Sequence, residues 1–302
     1  MTLLIHPGFH KTGTTWLQEQ LFSDKALFNM MMSHVEIDSL IVRPHDFDFD
    51  AGPARFQVAE KLSSSQAVNV LSSEILVGNP FYGSRDAVGL AHRLHAIAPD
   101  ARILLTIREQ GAMLRSLYQQ YVKRGGSLPI RNFLNQQCEP GYFGFAPDIF
   151  RYERHAALYA KLFGAKSVLV LPQELLARNP RRFVDLLLRF SGHPGLPDDH
   201  KLSADRPGKS FPPGGTPLIR LANHLRPSVL HPGGPRASRW IGESLLRLGY
   251  FCNIGNSRQR RQWSAVVNPL RDGYAASNRA LQPYCPVSLE EFGYVMEDNT
   301  EG

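Results

Sequence analysis

Leu3-Leu4-Ile5-His6-Pro7-Gly8-Phe9-His10-Lys11-Thr12-Gly13-Thr14-Thr15-Trp16-Leu17 stands at the start of the chain and decides its fold. Four apolar-dominated residues read as a buried strand. Gly8 and Gly13 bracket a tight loop, and Thr14 onward reads as the first turn of a helix. A strand that hands over to a helix through such a loop builds an anion pocket. The first backbone N–H groups of the helix have no intrahelical acceptor, and the helix dipole adds positive potential there. A phosphate or sulfate is the natural guest.

Working outward, near-continuous apolar runs mark three further strands: Gln66–Ser72, Ala101–Ile107 and Ser167–Leu171. Runs of this length suit parallel strands covered on both faces. Helical patterns lie at Thr14–Phe22, Ala87–Ala98, Ala112–Lys123, Ile149–Phe163 and Pro180–Phe190. Strands that alternate with helices imply right-handed β-α-β units. The expected fold is therefore α/β, a three-layer α/β/α arrangement around an open, mostly parallel sheet, with 1–302 as one domain. Ligands of such sheets sit beyond the carboxyl ends of the strands, so chemistry is expected just after residues 6, 72 and 107. Residues 204–237 are rich in Pro and Gly and read as loops. They are a plain connection or a flap over a bound donor, with Lys209 and Ser210 as candidate phosphate contacts.

The 302 residues are 43% hydrophobic and 20% charged, ordinary for a soluble globular protein. No apolar run approaches the roughly 18–20 residues that span a bilayer, and the first strand lacks a basic leader. Cys138, Cys252 and Cys285 are odd in number and far apart, which suits a reducing cytoplasm. The net charge of +7 fits general solubility or an acidic ligand such as a nucleotide, an anionic sugar polymer or nucleic acid. Nucleic acid is the least supported, because no RNA- or DNA-binding motif is present. His92 and His95 share a helix face but lack further ligands and read as solvated, and there is no C-x-x-C, so no metal site is expected.

One residue in the opening loop separates two chemistries. The phosphate loop of ATPases and GTPases is G-x-x-x-x-G-K-[ST]. Gly8, Gly13 and Thr15 keep that spacing, yet the lysine position holds Thr14. The loop's lysine is Lys11, at the crest. The strand 101–107 also ends without the aspartate that would hold magnesium in an NTPase.

His10-Lys11-Thr12-Gly13-Thr14-Thr15-Trp16-Leu17 resembles the 5′-phosphosulfate loop of sulfotransferases, P-K-[ST]-G-T-T-x-L, with His10 where proline is common. The donor of that family is 3′-phosphoadenosine 5′-phosphosulfate (PAPS). The resemblance extends to Leu169–Gly192 and to Ser277–Tyr294, the latter similar to bacterial carbohydrate-type members, so it covers residues 2–294. It implies the sulfotransferase fold, transfer of a sulfuryl group to an acceptor hydroxyl on a carbohydrate, and PAPS as co-substrate without metal. In the family, an arginine at a strand end and a serine eight residues later bind the donor's 3′-phosphate. Arg108 and Ser116 have that spacing, and Gln110 replaces a common proline. An arginine there can fork onto two phosphate oxygens.

The resemblance further implies roles for Lys11 and Glu74. Ser72-Ser73-Glu74 matches the S-S-E form of the family's base position, where a carboxylate takes the acceptor's proton. Its rivals are Glu36 and the neighbouring His34, since other branches place their glutamate shortly after the first helix. Lys11 would stabilise charge growing on the leaving oxygen. His10, Lys11, Thr12, Gly13, Thr14 and Thr15 would cradle the 5′-phosphate. The basic run 257–263 reads as a solvated helix face, or as a holder of an acidic saccharide. Trp16, Trp240 and the Met30–Met32 run read as packing. The alternatives to a sulfotransferase are a P-loop kinase or NTPase, told apart by a magnesium requirement, and a non-catalytic binder of anionic glycan or nucleotide. The small-molecule or polysaccharide acceptor and the oligomeric state are not legible in the sequence.

Overall fold

The computed structural model describes residues 3–135, 145–203, 211–230, 232 and 237–297. Cys138, Lys209, Ser210 and part of the Pro/Gly-rich stretch, 204–210, 231 and 233–236, fall outside them. In chain order the strands are β1 (Leu3–His6), β2 (Phe28–Met30), β3 (Val68–Ser72), β4 (Arg102–Ile107) and β5 (Val168–Pro172). The helices are α1 (Thr14–Trp16), α2 (His34–Ile37), α3 (Gly52–Lys61), α4 (Ala87–Ile97), α5 (Gln110–Lys123), α6 (Ile130–Leu134) and α7 (Tyr152–Phe163). They continue with α8 (Gln173–Arg178), α9 (Pro180–Phe190), α10 (Thr216–His224), α11 (Arg239–Phe251), α12 (Asn256–Asp272) and α13 (Ala275–Leu281).

The five strands form one parallel sheet in the order β2-β3-β1-β4-β5. The register pairs His6 with Ser72, Ile5 with Ile103 and Thr106 with Leu171. All residues of β1, β3 and β5 are buried. Alternate side chains of a strand point to opposite faces, so both faces are covered, as the near-continuous apolar runs require. The fold is α/β with an open parallel sheet. The strand order also marks one crevice. After β1 the chain moves out to β2 on one side, and after β4 it moves out to β5 on the other. β1 and β4 are neighbours, so the crevice beyond their carboxyl ends is the topological switch point where ligands of such sheets bind.

The chain resolves into two compact units. The first holds the sheet and comprises 1–109, 148–207 and 274–302; the second comprises 110–147 and 208–273. Described elements of the second unit are helical. Its core gathers Tyr118, Phe133, Ile219, Trp263 and Val267, with Tyr118 edge-on to Trp263 at 5.9 Å. The buried Asn223 amide donates to Val122 O at 2.8 Å, a carbonyl in the last turn of α5, and to Gly126 O just beyond it at 2.9 Å. Among the described residues no helix is long and apolar enough to cross a membrane.

Four sequence readings change. The three-residue β2 was missed, and Phe28–Met30 pairs with Val68–Val70 as an edge strand. The expected α-helix 14–22 is α1 followed by a π-helical turn, Leu17–Leu21, closed by Phe22 N–H on Leu17 O at 2.7 Å. His92 is exposed, but His95 is only half-exposed, and its ring meets Phe163 edge-on at 5.2 Å. Trp240 is exposed and not a packing residue, whereas Trp16 is buried.

Candidate active site

The loop after β1 keeps its shape for reasons that each residue shows. A Cβ on Gly8 would lie 2.5 Å from His6 Nε2 and 2.7 Å from Thr14 Cγ2, so no side chain fits there. Gly13 sits at φ 88°, a left-handed conformation natural to glycine. Lys11 is also left-handed, at φ 67°. For a residue with a Cβ this costs on the order of 1 kcal/mol and recurs at ligand sites. Lys11 and Thr15 are exposed, His10 and Gly13 half-buried, and Thr12 and Thr14 buried. Leu17 N–H donates to Gly13 O at 3.0 Å, and no side chain caps the start of α1.

Behind the loop runs a buried polar chain that sequence reading missed. Thr12 Oγ1 donates to Phe9 O at 2.5 Å. Having used its proton, it accepts from Thr106 Oγ1 at 2.8 Å. Thr106 must then accept from His6 Nε2 at 2.9 Å. His6 therefore carries its proton on Nε2, and its Nδ1 accepts from Ser72 Oγ at 2.8 Å. Ser72 Oγ in turn accepts from Gln18 Nε2 at 3.2 Å. Gln18 Nε2 also donates to Ser72 O at 3.2 Å, and along the chain the direction is unique. Burial lowers the His6 pKa to about 3, so the ring is neutral. This chain ties the ends of β1, β3 and β4 to the loop. Its sequence signal was available: a polar residue stands at or next to the carboxyl end of each of three strands, at His6, Ser72 and Thr106.

Phe9 anchors the loop on another side. Its ring meets Tyr152 at 4.8 Å and His155 at 4.9 Å, both edge-on. His155 is half-buried, its buried Nδ1 has no partner, and desolvation lowers its pKa to about 4.

Arg108 follows β4 at the switch point. Its Nη1 donates to Lys11 O at 3.3 Å, and its buried Nε has no acceptor. An orphaned guanidinium N–H beside an anion-type loop matches the need of an oxyanion ligand. The backbone that carries it is clamped twice. Tyr152 Oη donates to Arg108 O at 2.8 Å, and Glu109 N–H donates to Glu174 Oε1 at 3.0 Å. Tyr294 Oη donates to the other Glu174 oxygen at 3.3 Å. Burial raises the Glu174 pKa. Glu174 and Tyr294 belong to the two downstream stretches of the resemblance, Leu169–Gly192 and Ser277–Tyr294.

The three candidate bases differ in their surroundings. Glu74 opens a 3-10 turn directly after β3 and is half-buried. The preceding Ser73 N–H donates to His6 O at 3.2 Å, which holds this strand end against β1. Glu36 is occupied: it closes a capping box with Ser33 and pairs with Lys61 Nζ at 2.6 Å. The Lys61 contact first, then the Ser33 bonds, lower its pKa to about 2. His34 Nδ1 and Ser73 Oγ lie 3.0 Å apart. Ser116 lies half-buried on α5, in the second unit. Among the described residues no cluster of three or more His, Cys, Asp or Glu side chains could hold a metal ion.

No protein-family model and no curated protein match the chain. Two solved structures are similar in trace. A sulfotransferase from Alicyclobacillus acidocaldarius has 18% identity over 86% of this chain and 99% of that chain, with a TM-score of 0.49. Mouse sulfotransferase SULT7A1 complexed with PAP has 14% identity over 94% of this chain and 87% of that chain, with a TM-score of 0.39.

Proposed function

We propose that the protein is a PAPS-dependent sulfotransferase that moves a sulfuryl group to an acceptor hydroxyl, on a carbohydrate. The observation that carries this reading is the pairing at the switch point of the Lys11 loop with Arg108, whose buried Nε lacks an acceptor. Two anionic groups on one nucleotide, a 5′-phosphosulfate and a 3′-phosphate, would answer the loop and the arginine respectively. His10, Lys11, Thr12, Gly13, Thr14 and Thr15 form the loop side. Ser116 joins Arg108 in this reading by its spacing alone, as in the family's pattern. Thr12 is spent on Phe9 O and Thr106, so it shapes the loop rather than reaching for ligand.

The donor supplies a sulfuryl group activated by its phosphosulfate anhydride. The acceptor oxygen gains the S–O bond as the bond from sulfur to the phosphate oxygen breaks. Negative charge then grows on that phosphate oxygen. An ammonium fixed beside it, Lys11 on its left-handed backbone, lowers the barrier because it interacts more strongly with the developing charge than with the ground state. The acceptor's proton goes to a carboxylate. Glu74 is the better base, since Glu36 is held to about 2 by Lys61 and Ser33.

The experiment is sulfuryl transfer from labelled PAPS to a panel of sugars, polysaccharides, lipids and phenols. Transfer in chelator with wild-type protein is expected. Lys11→Ala and Arg108→Ala should each lose about a hundredfold or more, Glu74→Gln a similar factor, and Glu36→Gln less than a few-fold. Equal loss from Glu36→Gln and none from Glu74→Gln would overturn the assignment of the base. A strict magnesium requirement with ATP turnover would overturn the reaction.

A further inference from the structure

Helix α11 turns bulky apolar side chains to solvent. Trp240 is 69% exposed, Leu248 62%, Phe251 83%, and Ile254, just past the helix, 86%. The inner face of α11 is fixed by its glycines. A Cβ on Gly242 would meet Ala222 O at 3.1 Å, and one on Gly249 would meet Ile219 Cγ1 at 2.5 Å, so this side lies against α10. At ~100° per residue, Trp240, Phe251 and Leu248 fall within roughly 80° of each other and opposite those glycines. They form one outward stripe that ends at the turn into α12.

The same stretch concentrates the chain's charge. Residues 239–271 contain Arg239, Arg247, Arg258, Arg260, Arg261 and Arg271 against a single acid, Glu243, and so carry +5 of the net +7. Arg247, Arg258, Arg260 and Arg261 are exposed. Arg239 is held by Glu243 at 2.7 Å. Large aromatic and aliphatic side chains at the tip, with arginines within one to three turns on either side, are the composition of an interfacial anchor.

We propose that the end of α11 and the start of α12 dock the protein on an anionic lipid surface, with Phe251 and Ile254 entering the headgroup–acyl boundary and the arginines meeting lipid phosphates. A second copy of this chain fits less well. In a two-fold dimer the patch would face itself, and arginine would oppose arginine. A dissolved polyanion satisfies the arginines but offers Phe251 and Ile254 no apolar phase. Trp16 and Trp263 are buried, so Trp240 alone of the three tryptophans reports on the patch.

The test is sedimentation of the full chain with phosphatidylcholine vesicles, with and without on the order of one-third phosphatidylglycerol. Tryptophan emission is followed in parallel. The expected result is pelleting with the anionic vesicles, weakened by salt, and a blue shift. F251S/I254S should abolish both. R258Q/R260Q/R261Q should reduce partitioning about a hundredfold. These positions are exposed, so the variants should melt with wild type, which separates lost docking from lost folding. Absence of pelleting at low salt overturns the proposal. So does equal binding to neutral vesicles. Lipid-free, concentration-dependent dimerisation that F251S/I254S abolishes assigns the face to a second copy and also overturns it.

Discussion

The loop after β1 and the outer face of α11 depart from ordinary residue partitioning in opposite directions. Around the loop, polar groups are buried: His6, Thr12, Ser72 and Thr106. On α11, large apolar groups are exposed: Trp240, Leu248 and Phe251. An unpaired buried polar group costs roughly 1–3 kcal/mol, and an exposed leucine costs the folded state almost nothing. Evolution must therefore complete the first kind of departure internally, and each hydroxyl and ring nitrogen of these four residues finds its partner. The second kind is completed only by something outside the chain. Satisfied buried polarity makes a rigid scaffold, whereas a contiguous exposed apolar stripe leaves a surface open to a partner.

Substitutions in the two regions should accordingly differ in stability by a wide margin. His6→Ala removes both acceptor and donor at once, strands the Ser72 and Thr106 hydroxyls and leaves a cavity. Urea unfolding is expected to show a loss of about 3 kcal/mol or more. A loss below about 1 kcal/mol would mean that the polar chain does not bind the three strand ends together.

Acid should act on the same region. His6 and His155 titrate near 6.5 in the unfolded chain but at about 3 and about 4 when folded. The unfolded state thus takes up protons first as pH falls below about 6.5. The stability is full above that pH and declines toward pH 4, by up to ~1.4 kcal/mol per pH unit for each histidine. Glu174, with its raised pKa, opposes the trend as it protonates. His155→Phe keeps the ring packing against Phe9 and deletes the orphaned Nδ1. It should change stability at pH 8 by less than about 1.5 kcal/mol and flatten the slope between pH 6.5 and 5. An unchanged slope would show that His155 takes up its proton equally in both states.

The smallest effect belongs to α11. Leu248→Ser should move the unfolding midpoint within the scatter of surface changes, about 0.5 kcal/mol. A loss of several kcal/mol would show that the stripe is part of the core.

Much of this frame is legible in the sequence, and the failures have physical causes. Strands β1, β3, β4 and β5 announce themselves because parallel strands buried on both faces are written as near-continuous apolar runs. β2 escapes because three residues of Phe-Asn-Met carry no β-branched side chain and no period. Lys11 and Arg108 are visible as residues at strand ends. Their contact is not, since 97 residues separate them. Glu36 entered as a candidate base through its distance from the first helix, yet Ser33-His34-Val35-Glu36 is a capping-box pattern that could have set it aside. Trp240 was misjudged because a lone tryptophan says nothing about which side of its helix packs. That depends on Gly242 and Gly249, whose role emerges only with α10 alongside.

The most direct test of the central claim is calorimetric titration of adenosine 3′,5′-bisphosphate, the desulfated product, into the protein in excess chelator. Saturable 1:1 binding is expected, weakened at least about tenfold by Arg108→Ala, whose guanidinium would lose its phosphate. Absence of binding without metal, or binding indifferent to Arg108→Ala, would contradict the account.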